Sequence, residues 1–467
     1  MGRRADSLSS VGDVPTATET ENGERAPRIA VLADSDTRWK WGGLTAQRLL
    51  PDADPARDVD GLLLRGRATP TPRQLREVGV SAASLDEVTV PEFLARAGEY
   101  DLLVLSCVGG TVQAMLHGLA HRWGSAELRE NGTTAKRPVL VTGYVGVVYE
   151  KLADGLLLRN GADVVLANSR VDAERFRDVY AGVGRSTESV VESALPFLGG
   201  APYEKSGDRP FTVTFAVQPS VPVDRAGRLY LLNRAADHAR KHPDREVLIK
   251  LRSKPGEHTT HIEELPYQRL ADRLPGGLPP NCRLVYGHMG EVLDRTDLLV
   301  TVSSTAALES LHRGIPTAVL ADLGVREVHG NHHFLGSGCL TSWDALDAGH
   351  LPTASPHWTA RNGVVSDGPY EAAFDPARKR ISALLGRPTL PPVEPYYTAA
   401  TAPGYLPGIL ARHGLGPDGA PTESTVEAPG ASGVRRVVRG ALRRAARGAY
   451  RHGVQRVAPA IRRMGEL

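Results

Sequence analysis

Residues 301–320 read TVSSTAALESLHRGIPTAVL, an apolar run that meets two serines and a threonine and then a helical pattern carrying one glutamate. Ser303, Ser304 and Thr305 are spaced as the opening turn of a helix. There, backbone N–H groups without intrahelical partners and the positive end of the helix dipole face one point. A phosphate is suited to that point. Glu309, four residues beyond Thr305, stands about one turn into the helix, within reach of hydroxyls on the same ligand. The plainer reading is that these Ser and Thr residues are ordinary N-caps, and the junction alone does not choose between the two.

Other residues have types suited to the same chemistry. EVLIKLRSKPGEHTTH places Lys250, Arg252 and Lys254 at and just after an expected strand end. Strand alternation puts Lys250 and Arg252 on one face. Cations there neutralise the charge that develops on a departing diphosphate; a solvated basic loop is the alternative. In VYGHMG, His288 precedes a helical pattern, as a ligand-side residue or as a surface histidine. ADSDTRWKWGGLTAQ offers Asp34 and Asp36 at a strand end, with Gly42 and Gly43 before a helix. A carboxylate placed so can take a proton from an attacking hydroxyl, with Asp36 the first candidate and Asp34 the second, unless both are turn or cap carboxylates. Gly109 and Gly110 follow another strand without GxGxxG spacing, so a dinucleotide fingerprint is not supported. TGYVGVVYE is a further strand-end loop that would contact an acceptor. His329, His332 and His333 cluster in HGNHHFLGSGCL, but no carboxylate or cysteine stands at ligand spacing, and no metal is expected. GxSxG, HExxH and Walker patterns are absent.

The elements that carry these residues alternate. RIAVLAD (28–34), GLLLRG (61–66), DLLVLSCVGG (101–110), RPVLVTG (137–143) and ADVVLANS (162–169) are short apolar runs typical of parallel strands buried on both faces. TVQAMLHGLAHRW and VDAERFRDVYAGV are amphipathic helices between them, and SDTRWKWGG reads as a loop leading into a helix over LTAQRLL. After the Gly- and Pro-rich stretch LPFLGGAPYEKSGDRP the alternation restarts with FTVTFAVQ, EVLIKLR, CRLVYG, DLLVTVSS and PTAVLA. An α/β fold of two Rossmann-like, doubly wound domains follows, residues 28–197 and 211–415, joined by a linker at 198–210. The second sheet's domain is expected to end near residue 390. EPYYTAATAPGYLPGILARHGLG would then supply a last helix crossing back over the molecule. Ligands of such sheets bind beyond the carboxyl ends of the strands, so both domains offer loops to a shared cleft.

Residues 1–27 are polar and aperiodic and are expected to be disordered. Residues 416–433 read as a flexible linker, and residues 434–467 hold ten arginines and one glutamate opposite a thin Val/Ala stripe. That tail resembles a basic interfacial helix on anionic lipid, with a solvated tail or an acidic partner as alternatives. The first 433 residues carry 46 Lys and Arg against 52 Asp and Glu, so the body is mildly acidic and a nucleic-acid partner is disfavoured. Three separated cysteines, with no CxxC pair, point to a reducing compartment. With no signal peptide or membrane span, a cytoplasmic protein is expected, peripheral on the inner face of the plasma membrane if the tail binds lipid.

The stretch GHMGEVLDRTDLLVTVSSTAALESLHRGIPTAVLADLG resembles the donor-binding segment of GT-B glycosyltransferases. It has an amphipathic helix, an Asp-initiated strand, a Ser-rich turn, a helical glutamate and a Gly-x-Pro before the next strand. Its serines are most similar to those of bacterial capsule-polysaccharide, polysialic-acid and teichoic-acid transferases. The resemblance implies that Ser303, Ser304 and Thr305 hold the donor phosphates and that Glu309 bonds the ribose of a nucleotide-sugar. It implies a metal-independent enzyme with no cofactor beyond that donor, transferring sugar to a hydroxyl acceptor, a glycan or lipid-linked glycan, in cell-surface polysaccharide or glycolipid synthesis. Related transferases carry a His-Pro after the strand lysine. Here it is missing, with His258 and His261 further on. A polyol-phosphate transferase using a CDP-glycerol-type donor, a non-hydrolysing nucleotide-sugar epimerase and a non-catalytic nucleotide-sugar-binding protein are the alternatives.

Overall fold

The computed structural model describes residues 26–124, 136–147, 151–254, 257, 263, 265–364 and 369–422. The N-terminal tail up to residue 25, the arginine-rich tail with most of its linker, and His258 and His261 lie outside the described residues. Within them stand two wholly parallel sheets.

The first sheet comprises β1 (Ile29–Ala33), β2 (Val59–Leu64), β3 (Ser84–Val88), β4 (Leu102–Ser106), β5 (Val139–Gly143), β6 (Val164–Ala167) and β7 (Val190–Glu192), in the order β3-β2-β1-β4-β5-β6-β7. The second has β8 (Phe211–Ala216), β9 (Arg245–Lys250), β10 (Cys282–Val285), β11 (Leu298–Thr301), β12 (Thr317–Leu320) and β13 (Leu340–Thr341), in the order β10-β9-β8-β11-β12-β13. Both sheets therefore reverse direction beside their first strand, between β1 and β4 and between β8 and β11. The crevices for a ligand open at those two points. The central strands are buried on both faces, which is why their sequences are rich in apolar residues. Two Rossmann-like domains facing across a cleft make this the GT-B fold.

Buried charges fix the strand entrances. Asp297, just before β11, accepts the Thr212 amide at 2.8 Å and a two-pronged Arg209 guanidinium at 2.5 and 3.0 Å. The linker is thereby tied to two strands at once. Arg137 and Asp163 form a buried bidentate pair, both bonds 2.7 Å, between the starts of β5 and β6.

The segment SDTRWKWGG is helix rather than loop. One helix runs Asp36–Leu49 with Ser35 as its N-cap. Trp39 and Trp41 drive this early start, since both are buried against the first sheet. Gly42 and Gly43 thus lie inside the helix and serve close packing. A Cβ on Gly42 would come within 2.5 Å of Val31 Cγ1 and 2.9 Å of Ser106 Cβ. Gly42→Ala is expected to lower stability by about 1–3 kcal/mol through overpacking, despite the gain in helix propensity. Gly182→Ala, at a helix end where an added Cβ meets nothing, should be neutral or stabilising. Urea denaturation of the two variants checks the contrast.

Past β13 the chain returns to the first domain earlier than residue 390. Ala377, Ile381 and Leu384 of the helix Asp375–Leu385 enter one core of the first sheet. Leu406, Ile409 and Leu410 of the helix Leu406–Arg412 enter the other. A further cluster joins Val147, Leu195 and Leu198 to Leu299, Ala307 and Val319, an apolar seam between the domains.

Candidate active site

The carboxyl ends of the two sheets touch through charged side chains. Arg252, just past β9, donates through Nη2 to Asp36 Oδ1 at 2.9 Å and also meets the Thr37 hydroxyl. Lys40 Nζ, from the same helix as Asp36, lies 3.6 Å from Glu309 Oε2. Glu77 accepts the Gly287 amide at 2.6 Å, and Arg73 grips Glu257. A Cβ on Gly146, in the loop after β5, would come within 3.3 Å of Thr305 Cγ2. Each contact joins a loop or helix after a first-sheet strand to one after a second-sheet strand.

On the second domain, Lys250, His288 and Glu309 surround the junction after β11. Lys250 is the last residue of β9, 6% exposed, and its Nζ donates to the Leu251 carbonyl at 2.7 Å. Burial pushes its pKa down to about 8; Glu77 and Glu309 oppose that shift, and Arg252 and Arg73 add to it. His288 caps the start of the helix Met289–Leu293. Burial, then Lys40, hold its imidazole below the usual range. Glu309 is buried, with its carboxylate turned toward Lys40. Because β9 ends at Lys250, strand alternation does not extend to Arg252, whose side chain crosses the cleft while Lys250 stays in the second domain. Lys254 is exposed at the rim, its Nζ 5.7 Å above the Tyr286 ring.

The three hydroxyls after β11 differ from one another. Ser303 Oγ donates to the His329 carbonyl at 2.6 Å, and its amide donates to Gln218 Oε1 at 2.9 Å. It therefore braces the turn against β8 and the loop after β12. Ser304 Oγ accepts from the Ala306 amide at 3.3 Å, and the Ser304 amide donates to Thr301 Oγ1 at 3.2 Å. Thr305 stands at the start of the seven-residue helix Ala306–His312 and makes no side-chain cap bond. Its hydroxyl has no hydrogen-bond partner among the described residues, which leaves it the hydroxyl of the three open to a ligand.

The two candidate carboxylates of the first domain face different surroundings. Asp36 belongs to the interdomain contact with Arg252. Asp34 accepts the Val108 amide at 2.9 Å and Arg38 Nη1 at 3.0 Å, and it lines a cavity of about 430 Å³ beyond β1, β2 and β4. His413 lines the same cavity, its Nε2 3.5 Å from Thr111 Oγ1. Burial and Arg412 keep His413 below the ordinary imidazole range.

Lys40, Arg73, Glu77 and Gln218 are site residues that sequence reasoning missed. Lys40 carries the clearest signal, a lone cation between two tryptophans one turn after a strand end, with its Nζ 4.8 Å from the Phe197 ring centre. Glu77 and Arg73 read as an exposed i,i+4 helix pair and carry no such signal. The histidines 332 and 333 line a separate cavity of about 490 Å³ with Trp358. Among the described residues the grouping able to hold a cation is elsewhere, at His238, His242 and Asp347. There Arg234 bonds Asp347 at 3.0 Å and Arg245 faces His238 at 3.3 Å. Guanidiniums on both sides make it an ion-pair knot.

Residues 29–382 match the family described as "Putative glycosyltransferase (DUF6716)". No curated protein matches the chain significantly. Among solved structures, the chain is similar to UDP-GlcNAc 2-epimerase from Neisseria meningitidis bound to UDP-GlcNAc, at 10% identity over 77% of this chain and 99% of that one, TM-score 0.45. It is similar to a UDP-glucosyltransferase from Polygonum tinctorium at 12% identity, over 76% and 98% of the two chains, TM-score 0.43. For the glycosyltransferase SnogD from Streptomyces nogalater the values are 14%, 79%, 98% and 0.33. Scores this low carry no inference about chemistry, which rests on the side chains above.

Proposed function

The chain belongs to the DUF6716 family, and from that premise we propose that it moves a sugar from a nucleotide-sugar donor to a hydroxyl acceptor. The observation that carries this reading is the gathering of Lys250, His288, Thr305 and Glu309 beyond the carboxyl ends of the second sheet, opposite an acid-bearing loop of the first. Lys250 neutralises the diphosphate as the sugar leaves. Thr305 and the Ser304 turn add hydrogen bonds to phosphate oxygens, while Ser303 holds that turn in place. Glu309 accepts from the ribose hydroxyls, taking them in exchange for Lys40. His288, whose imidazole burial and Lys40 hold below its ordinary range in the ligand-free protein, sits beside the nucleotide. Asp34, in the wall of the first domain's cavity, takes the proton from the acceptor hydroxyl.

The acceptor belongs to a cell-surface polysaccharide or glycolipid, and the basic tail at 434–467 would hold the enzyme to an anionic membrane. No helix among the described residues is long and apolar enough to cross one. Liposome pelleting with and without residues 431–467 tests that attachment.

The transferase reading is tested by incubating the protein with UDP-, CDP-, GDP- and dTDP-sugars. Slow release of nucleoside diphosphate, with water as acceptor, is expected for one of them. Interconversion of the sugar without release identifies an epimerase instead, and binding without turnover a non-catalytic protein. Glu309 has its own test. The wild type is expected to bind its preferred nucleoside diphosphate about tenfold or more tightly than the 2′,3′-dideoxy analogue, the worth of hydrogen bonds to a charged group. Glu309→Ala should erase that preference. A preference that survives the substitution ends the ribose assignment.

A further inference from the structure

The cavity holding Asp34 has a charge that the transfer reaction alone does not require. Arg38, Arg65, Arg67 and Arg412 line it together with His413, against Asp34 as its one acidic group. Arg38 answers Asp34, and Arg65 reaches Glu92 at 3.4 Å. Arg412 is exposed and has no carboxylate within ion-pair distance among the described residues. It is carried into place by the helix Leu406–Arg412, which crosses back onto the first domain. Leu64, Val90, Pro91 and Val108 give it an apolar stretch of wall, beside Thr89 and Thr111. A concave site with an excess of guanidiniums over apolar walls concentrates positive potential on whatever enters it. Guanidiniums also match the planar geometry of carboxylates and phosphates.

We infer that this cavity is the acceptor subsite and that it selects an acceptor bearing a negative charge, a carboxylate or a phosphate, next to the sugar ring that offers the hydroxyl. The inference rests on the transferase reading, and it adds the chemical class of the acceptor. The apolar wall takes the ring face and the arginines take the anion. Asp34, in the wall of the same cavity, is left for the hydroxyl.

The test titrates the full chain with three 4-nitrophenyl glycosides that differ in one group: β-D-glucoside, β-D-glucuronide and β-D-glucoside 6-phosphate. Ligand-observed NMR supplies the affinities. At least one anionic glycoside is expected to bind about tenfold or more tightly than the neutral one, and which of the two does so tells carboxylate from phosphate. Arg65→Ala/Arg412→Ala should abolish the preference while leaving nucleoside diphosphate affinity unchanged. Arg412→Lys, which keeps the charge, should retain part of it. Equal binding of all three glycosides by the wild type overturns the inference, as does a preference that survives in the double variant. Loss of nucleoside diphosphate affinity in the double variant also overturns it, by assigning the arginines to the donor. A wild type that prefers anionic glycosides yet binds no nucleoside diphosphate supports the subsite and fails the transferase reading instead.

Discussion

Asp34→Asn is expected to slow nucleoside diphosphate release from the donor by about 10²–10⁴-fold, the range for losing a positioned general base, with nucleotide affinity unchanged. Water serves as acceptor in this assay, so the outcome does not wait on the natural acceptor. Asp34 and Asp36 lie two residues apart and are both engaged, and among the described residues it is Asp34 that lines the first domain's cavity. Asp36 is held by Arg252 across the domain contact and accepts the neighbouring Thr37 amide. Asp36→Asn should therefore loosen closure and weaken nucleotide affinity several-fold, while the step that removes the proton proceeds. Measuring kcat and KM for both variants separates the roles. A large fall in kcat for Asp36→Asn with Asp34→Asn near wild type would reverse the assignment and restore Asp36 as the first candidate.

Much of this fold could be read from the chain because parallel strands in the sheet interior leave short, mostly apolar runs. Ten of the strands coincide with such runs. The others are edge elements, and their sequences carry no such run. SLDEV of β3 is mostly exposed, and β7 and β13 are three and two residues long. Strand order was not legible either, since nothing local records that β1 sits beside β4. The start of the Asp36–Leu49 helix is not legible in sequence because two glycines and two tryptophans read as a loop. Only the sheet behind them shows that the glycines make room and the tryptophans fill it.

At the site, a motif could be recognised where neighbours in sequence are neighbours in space. Ser303, Ser304, Thr305 and Glu309 form one turn and one helix, and the chain itself brings them together. The cross-cleft partners depend on how two domains dock, which no local pattern encodes. Lys40 meets Glu309 across 269 positions, and Glu77 meets Gly287 across 210. Even within the motif, residue type was not enough to separate roles. Ser303 and Thr305 look equivalent in sequence. They differ because the loop after β12 places the His329 carbonyl against the Ser303 hydroxyl, while the Thr305 hydroxyl has no hydrogen-bond partner among the described residues.

Lys250→Met should weaken nucleoside diphosphate binding by about a hundredfold and stabilise the ligand-free protein, two effects of opposite sign from one buried charge. Burial lowers the Lys250 pKa from 10.5 to about 8. Below pH 8 the ammonium is charged in both folded and unfolded chains, and the folded state bears its whole desolvation cost, at most about 3 kcal/mol. As pH rises from 8 toward 10.5 the native lysine is neutral while the unfolded one stays charged, so stability rises across that window. Methionine removes the cost at neutral pH, and its urea midpoint should exceed that of the wild type. A bound diphosphate acts the other way, since its negative charge draws the proton back onto Nζ. Binding above pH 8 should take up one proton, visible as a calorimetric enthalpy that depends on the buffer's ionisation heat. Affinity should be flat between about pH 7 and 8, above the second ionisation of the terminal phosphate, and fall by up to about tenfold per pH unit above that, whereas Lys250→Met should bind weakly with no such slope above pH 8. Proton uptake that persists in the variant would place the titrating group elsewhere. A variant that loses stability along with affinity would make Lys250 a packing residue and remove the cation on which the donor assignment depends.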